Sequence, residues 1–226
     1  MDVGLRRCIK EPIPEIFDAW QDMSAAVDAH VRGEAECAAQ LFGKERRRKG
    51  ANGLRVWHWF NPGWTLDVDD GTHIVEPSPR NDTSTVLKEM RDGNNSRIPG
   101  SIKRAVLDRD GHCCRYCGIP VVDAEIRKIA HRLYPDSVVW GADERRMHAG
   151  FAAMWLQFDH VVPWSHGGRT DERNVVVSCA LCNFGKSNNT LKQLGLEDPR
   201  DRPPEPRADY DGLERLRCCA PAAAKS

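Results

Sequence analysis

Four cysteines carry the plainest chemical signal in the chain: Cys114 with Cys117 and Cys179 with Cys182 form two C-x-x-C pairs. Such a knuckle turns both sulfurs toward one ion, and two knuckles supply the four thiolates of a closed tetrahedral Zn²⁺ site. Cys113 adjoins Cys114, but Cys113 to Cys117 is C-x-x-x-C, unlike the second pair, so Cys114 is the preferred ligand. The 61 residues between Cys117 and Cys179 exceed the gap of compact zinc ribbons, so the ion is expected to clamp the ends of a larger unit. Cys8, Cys37, Cys218 and Cys219 have no partner at ligand spacing and read as ordinary thiols.

A second group of residues follows the first knuckle. Asp159-His160 lies in Phe-Asp-His-Val-Val-Pro, directly before the loop Ser165-His166-Gly167-Gly168-Arg169-Thr170; Asn174 opens a Val-rich run and Asn183 follows Cys182. Singly each has a dull explanation, since a His at a strand end is commonly structural and an Asn before a strand is a turn former. Together, D-H-V-V-P, then H-G-G, then N-V-V-V-S-C-x-x-C-N-x-x-K-x-N, over roughly Ile98 to Leu196, resembles the HNH nuclease family. The resemblance implies a ββα-metal fold, in which two antiparallel strands and a helix surround one catalytic divalent cation. It implies His160 as general base, Asp159 as a metal ligand, and Asn174 as the brace of the loop that presents His160. The chain departs from the family's name at Asn183, which stands where the last His would be. An Asn carbonyl oxygen binds hard cations, and as a neutral ligand it favours Mg²⁺ or Mn²⁺ over tight Zn²⁺.

Phosphodiester hydrolysis needs these residue types. A water must be deprotonated near neutral pH, the charged phosphorane stabilised and the leaving 3′ oxygen neutralised. Imidazole, with an ordinary pKa of about 6.5, suits the first task. A cation on Asp159 and Asn183 suits the other two, and a single carboxylate leaves that ion net positive toward an anionic substrate. His166 and Lys186, the latter one helical turn beyond Asn183, are the candidate phosphate contacts. By the resemblance, the products carry 5′-phosphate and 3′-hydroxyl ends.

The elements that must position this chemistry follow from periodicity. Ile16, Trp20, Met23, Val27 and Val31 make one apolar helical face after Pro14, and Cys37, Ala38 and Leu41 continue as a second helix after Gly33. Lys44 to Arg55 holds six basic residues against Glu45 alone, a local charge of +5, and runs into Val56-Trp57-His58-Trp59-Phe60. That pairing reads equally as a nucleic-acid surface or as a charged turn entering a buried Trp-rich strand. Arg91 to Ser96 is the best linker candidate. A helix is expected from an N-cap at Ser101 to Gly111, with Ile102, Ala105 and Val106 inward. Two more amphipathic patterns, one capped by Asp123 and one over Met147, Phe151, Met154 and Trp155, form a helical insertion within the 41 residues between Cys117 and Asp159. Strands are expected from Phe158 toward Pro163 and over Asn174 to Ser178, with a short helix carrying Lys186 and, further on, Leu191 and Leu194.

The expected class is therefore α+β: an HNH core with structural zinc over 98–198, a mainly helical region over 1–92, and a Pro-rich, partly disordered tail over 199–226. Thirty-three basic and thirty-three acidic residues cancel, which excludes a protein that holds nucleic acid by global charge and requires local, salt-sensitive contacts. The N-terminus lacks a signal peptide's apolar run and no stretch approaches the roughly 20 apolar residues of a membrane span, so the chain reads as cytoplasmic and not membrane-bound. In that reducing compartment paired cysteines are metal ligands more often than disulfides. The leading function is a metal-dependent DNA endonuclease of restriction, mobile-element or phage-defence biology. The alternatives are a zinc-stabilised nucleic-acid-binding module without catalysis and an RNA-directed nuclease. Dimerisation, or a partner protein bound through residues 1–92, would suit double-strand cutting, though no residue demands it.

Overall fold

The computed structural model describes residues 4–44, 51–60, 85–91, 96–141 and 147–219. Its helices are α1 (Pro14–Val31), α2 (Ala35–Lys44), α3 (Ala51–Phe60), α4 (Gly100–Asp110), α5 (Ala124–Leu133), α6 (Ala149–Ala153), α7 (Ala180–Lys186) and α8 (Leu191–Leu194), with strands β1 (Leu156–His160) and β2 (Val175–Cys179). The expected α+β class is what the chain adopts. None of the described helices is long and apolar enough to cross a membrane. Contacts divide the chain into two compact units, each assembled from three sequence segments: Met1–Glu11 with Asp69–Val121 and Leu156–Ala208, and Pro12–Val68 with Val122–Trp155 and Asp209–Ser226.

The second of these units is helical. Pro14 starts α1, where its missing N–H costs nothing, and Ile16, Ala19, Met23, Ala26 and Val27 are buried along one face. Asp123 caps α5 by accepting from the Glu125 N–H at 2.7 Å, as expected. Arg127 of α5 lies over the Trp140 ring, 3.5 Å from its centroid. His148 caps α6 through Phe151 N and also meets the Phe42 carbonyl at 3.0 Å. The Trp-rich run is a helix, not the strand that one of its two readings expected: Gly53, Val56 and Trp57 recur at spacings of three and one, bury one face, and Trp59 is buried as well. Tertiary burial on a helical period has overridden the β-propensity of Val, Trp and Phe. Buried rings are poor stacking platforms for bases, and Arg55 is ion-paired with Glu15. Residues 45–50 of the basic run, and 92–95 of the linker, lie outside the described residues.

The first unit holds the sheet. β1 and β2 pair antiparallel with Leu156 opposite Cys179 and His160 opposite Val175, so β1 starts and ends earlier than expected. Every residue of β2 is buried, whereas β1 alternates less strictly. Helix α4 is capped by Pro99 rather than Ser101, in extended geometry with no side-chain cap, because Pro restricts the residue before it and suits a helix entry. Asp110, fully buried at the end of α4, accepts from the Val177 N–H at 3.0 Å and pairs with Arg109, tying helix to strand. Of the region read as a Pro-rich tail, residues 199–208 belong to this unit and Pro199–Asp201 forms a 3-10 turn; residues 209–219 belong to the helical unit, where Glu214–Cys219 forms a 3-10 turn and Tyr210, Leu213 and Leu216 are buried. Residues 220–226 lie outside the described part.

Candidate active site and metal centre

The knuckles come together. The Sγ atoms of Cys114, Cys117, Cys179 and Cys182 all lie within 4.8 Å of one another, and all four residues are buried. Cys113 is buried beside them but takes no part. Zn–S bonds of about 2.3 Å place tetrahedral sulfurs about 3.8 Å apart, and the Cys117 and Cys179 sulfurs are 3.7 Å apart. Burial pushes the Cys117 thiol up, and the Cys114 and Cys179 sulfurs push it further; at Cys114 the bonds from the other three outweigh burial and bring the thiol well down. Four sulfurs this close ionise together only around a cation. Each knuckle is built locally. Cys114 N–H donates to the Ile119 carbonyl at 2.9 Å, and Cys179, the last residue of β2, caps α7 by accepting from Cys182 N at 3.4 Å.

Asp159 and His160 are consecutive on β1, with His160 the last residue of the strand. The Asp159 carboxylate, 5% exposed, accepts from the Tyr116 hydroxyl at 2.6 Å and from the Lys186 ammonium at 3.2 Å. Burial raises its pKa, and the Lys186 ammonium pulls it back. A carboxylate offers about four lone-pair sites, so these two bonds leave it able to ligate a hard cation. His160 holds Nε2 3.0 Å from Thr170 Oγ1. Asp159, His160 and Asn183 line one cavity of about 600 Å³. An anionic and a neutral oxygen donor lining one cavity suit a hard divalent cation.

The loop between the strands is braced from its far end. Asn174 donates from Nδ2 to the Val162 and Arg169 carbonyls at 3.0 and 2.8 Å and accepts from Val162 N at 2.9 Å. Gly168 is wedged inside that brace, since a Cβ there would lie 1.8 Å from the Val162 oxygen. Gly167 turns the chain with φ of +83°, where other residues are strained.

The two expected phosphate contacts are placed differently. Lys186 is 1% exposed: its ammonium is committed to Asp159 and, at 2.8 Å, to the His160 carbonyl. A helical position shows only that Lys186 follows Asn183, not that the turn of α7 aims it inward. His166 does not line the cavity; its Nε2 meets the Asn188 carbonyl at 3.0 Å. Sequence reasoning also missed Tyr116, 43 residues from Asp159, and Thr170. Tyr116 sits between the knuckle cysteines, a position that signals metal binding and hides its reach to Asp159.

The Lys186–Asp159 pair gives a stability prediction. Removing one partner of a buried pair leaves an uncompensated charge, at a cost of about 3–5 kcal/mol. Lys186→Met, which fills much of the same volume, is expected to lower the urea midpoint accordingly, and adding Asp159→Asn is expected to restore part of the loss. A single variant as stable as the parent contradicts the pairing.

Residues 147–189 match the family described as HNH endonuclease, a stretch that includes Asp159, His160, Asn174, Cys179, Cys182, Asn183 and Lys186. No curated protein and no solved structure gives a match to the chain.

Proposed function

We propose, from the HNH endonuclease segment at residues 147–189, that the chain is a divalent-cation-dependent endonuclease hydrolysing DNA phosphodiester bonds. The observation that carries the reading is the single cavity lined by Asp159, His160 and Asn183. His160 takes the proton of the attacking water, its ring oriented by Thr170. Asp159 and Asn183 would hold a Mg²⁺ or Mn²⁺ ion, which would supply stabilisation of the charge that develops during hydrolysis. Tyr116 and Lys186 fix the carboxylate for that purpose from two sides. Asn174 keeps the loop after His160 in one shape, and the four cysteines hold zinc, closing the unit from which these side chains project. We assign the activity to residues 98–198 and its biology to restriction, mobile-element or phage defence.

Supercoiled plasmid, single-stranded DNA and RNA, each incubated with Mg²⁺, Mn²⁺ or chelator, test the assignment. Cation-dependent plasmid cleavage leaving 5′-phosphate ends is expected. Cleavage of RNA alone would replace the substrate, and binding of plasmid without cleavage under any cation would make the chain a binding module.

A further inference from the structure

A phosphodiester entering the cavity brings a negative charge to a wall whose fixed charges already cancel, because Lys186 is spent on Asp159. Among the described residues lining the cavity, Arg91 has the one permanently charged basic side chain. Its Nε donates to the Val86 carbonyl at 2.8 Å, and its guanidinium carbon lies 4.8 Å from the centroid of the Trp164 ring. One edge of the fork is therefore tethered and its plane held against an aromatic face, while the Nη hydrogens retain the geometry that meets two phosphate oxygens at once. The segment carrying Arg91 is docked on the loop that follows His160: Val86 N–H donates to the Ser165 carbonyl at 2.9 Å, and Val86 Cγ2 lies 3.2 Å from where a Gly167 Cβ would stand. Only glycine at position 167 admits that approach without displacement. Arg91 is outside the family-matched stretch and outside the 98–198 boundary read from sequence.

We propose that Arg91, preorganised by Trp164 and Val86, is the phosphate-binding residue of the cavity and contacts the nucleic-acid backbone there. This rests on the nuclease reading and extends the substrate site to residues 85–91. The role expected of Lys186 passes to a side chain nearly a hundred residues earlier. The contact with the Trp164 ring and the bond to the Val86 carbonyl both hold the guanidinium in place.

The test is duplex-oligonucleotide binding by the His160→Ala protein, with and without Arg91→Ala, Arg91→Gln or Arg91→Lys, titrated in NaCl from low to physiological concentration. A residue that neutralises one phosphate contributes about 0.9 to the log–log slope of affinity against salt. Arg91→Ala and Arg91→Gln are expected to weaken low-salt binding about tenfold and to flatten the slope by about that amount. Arg91→Lys is expected to keep the slope and lose part of the affinity. Gln keeps most of the stem, so a change shared by Ala and Gln and absent in Lys is one of charge and not of packing. An unchanged slope in Arg91→Gln overturns the proposal while leaving the nuclease reading standing. A parent that neither binds nor cuts any nucleic acid overturns both.

Discussion

His160→Ala is expected to slow Mg²⁺-supported plasmid cleavage by about 10²–10⁴-fold, the range a positioned general base contributes. The structure says why the loss should be chemical. His160 pairs with Val175 through its backbone, and Lys186 also takes its carbonyl, so neither the sheet nor the buried ion pair depends on the imidazole. The side chain's bond to Thr170 is half exposed and costs little to lose. Melting and zinc content are therefore expected to match the parent, and binding of uncut DNA to be kept. Asp159→Asn provides the contrast: it leaves the base in place and should shift the cation concentration needed for cleavage. Undiminished cutting by His160→Ala removes His160 from the chemistry, whatever its place in the cavity.

What could be read from sequence was the part written in short spacing. Two C-x-x-C knuckles separate ligands by a single turn each, so the type and interval of residues alone place two sulfurs side by side, and Cys114 prevails over Cys113 for that reason. Asp123 as a helix cap and the Val-rich β2 are equally local. Direction is what a spacing does not give. Lys186 at the end of α7 reads as a candidate phosphate contact, and only the turn of the helix over β1 shows that it faces Asp159. The same limit hid Tyr116 and Arg91, whose contacts depend on which side of a knuckle or a loop the chain passes. In α3 the failure was of another kind: residue types suited to strands were packed on a helical period, and burial decided. The helical insertion was legible as helices, but its assignment to the same unit as α1 and α2 follows from long-range contacts that no local pattern records.

Cys179→Ser separates the metal from every other role the residue has. Cys179 ends β2, caps α7 and supplies one of four sulfurs. Serine is a favoured N-cap, and the backbone pairing with Leu156 does not involve the side chain, so strand and cap survive the exchange. What is lost is a thiolate ligand. Structural zinc contributes on the order of 10 kcal/mol to folding, against total stabilities of about 5–15 kcal/mol for a domain, and a two-stranded sheet has little core of its own. The expected outcome is a protein with its zinc-to-chain ratio reduced from one toward zero and the β1–β2 unit open to protease. Activity should fall with it even in excess Mg²⁺, because Tyr116 lies between Cys114 and Cys117 and Lys186 ends the helix that Cys179 caps. When the knuckles separate, both side chains that fix Asp159 move with them. Measuring zinc, protease resistance and cleavage on one preparation decides the matter, since a soluble, fully active, zinc-free variant would show that the four cysteines hold nothing the site requires.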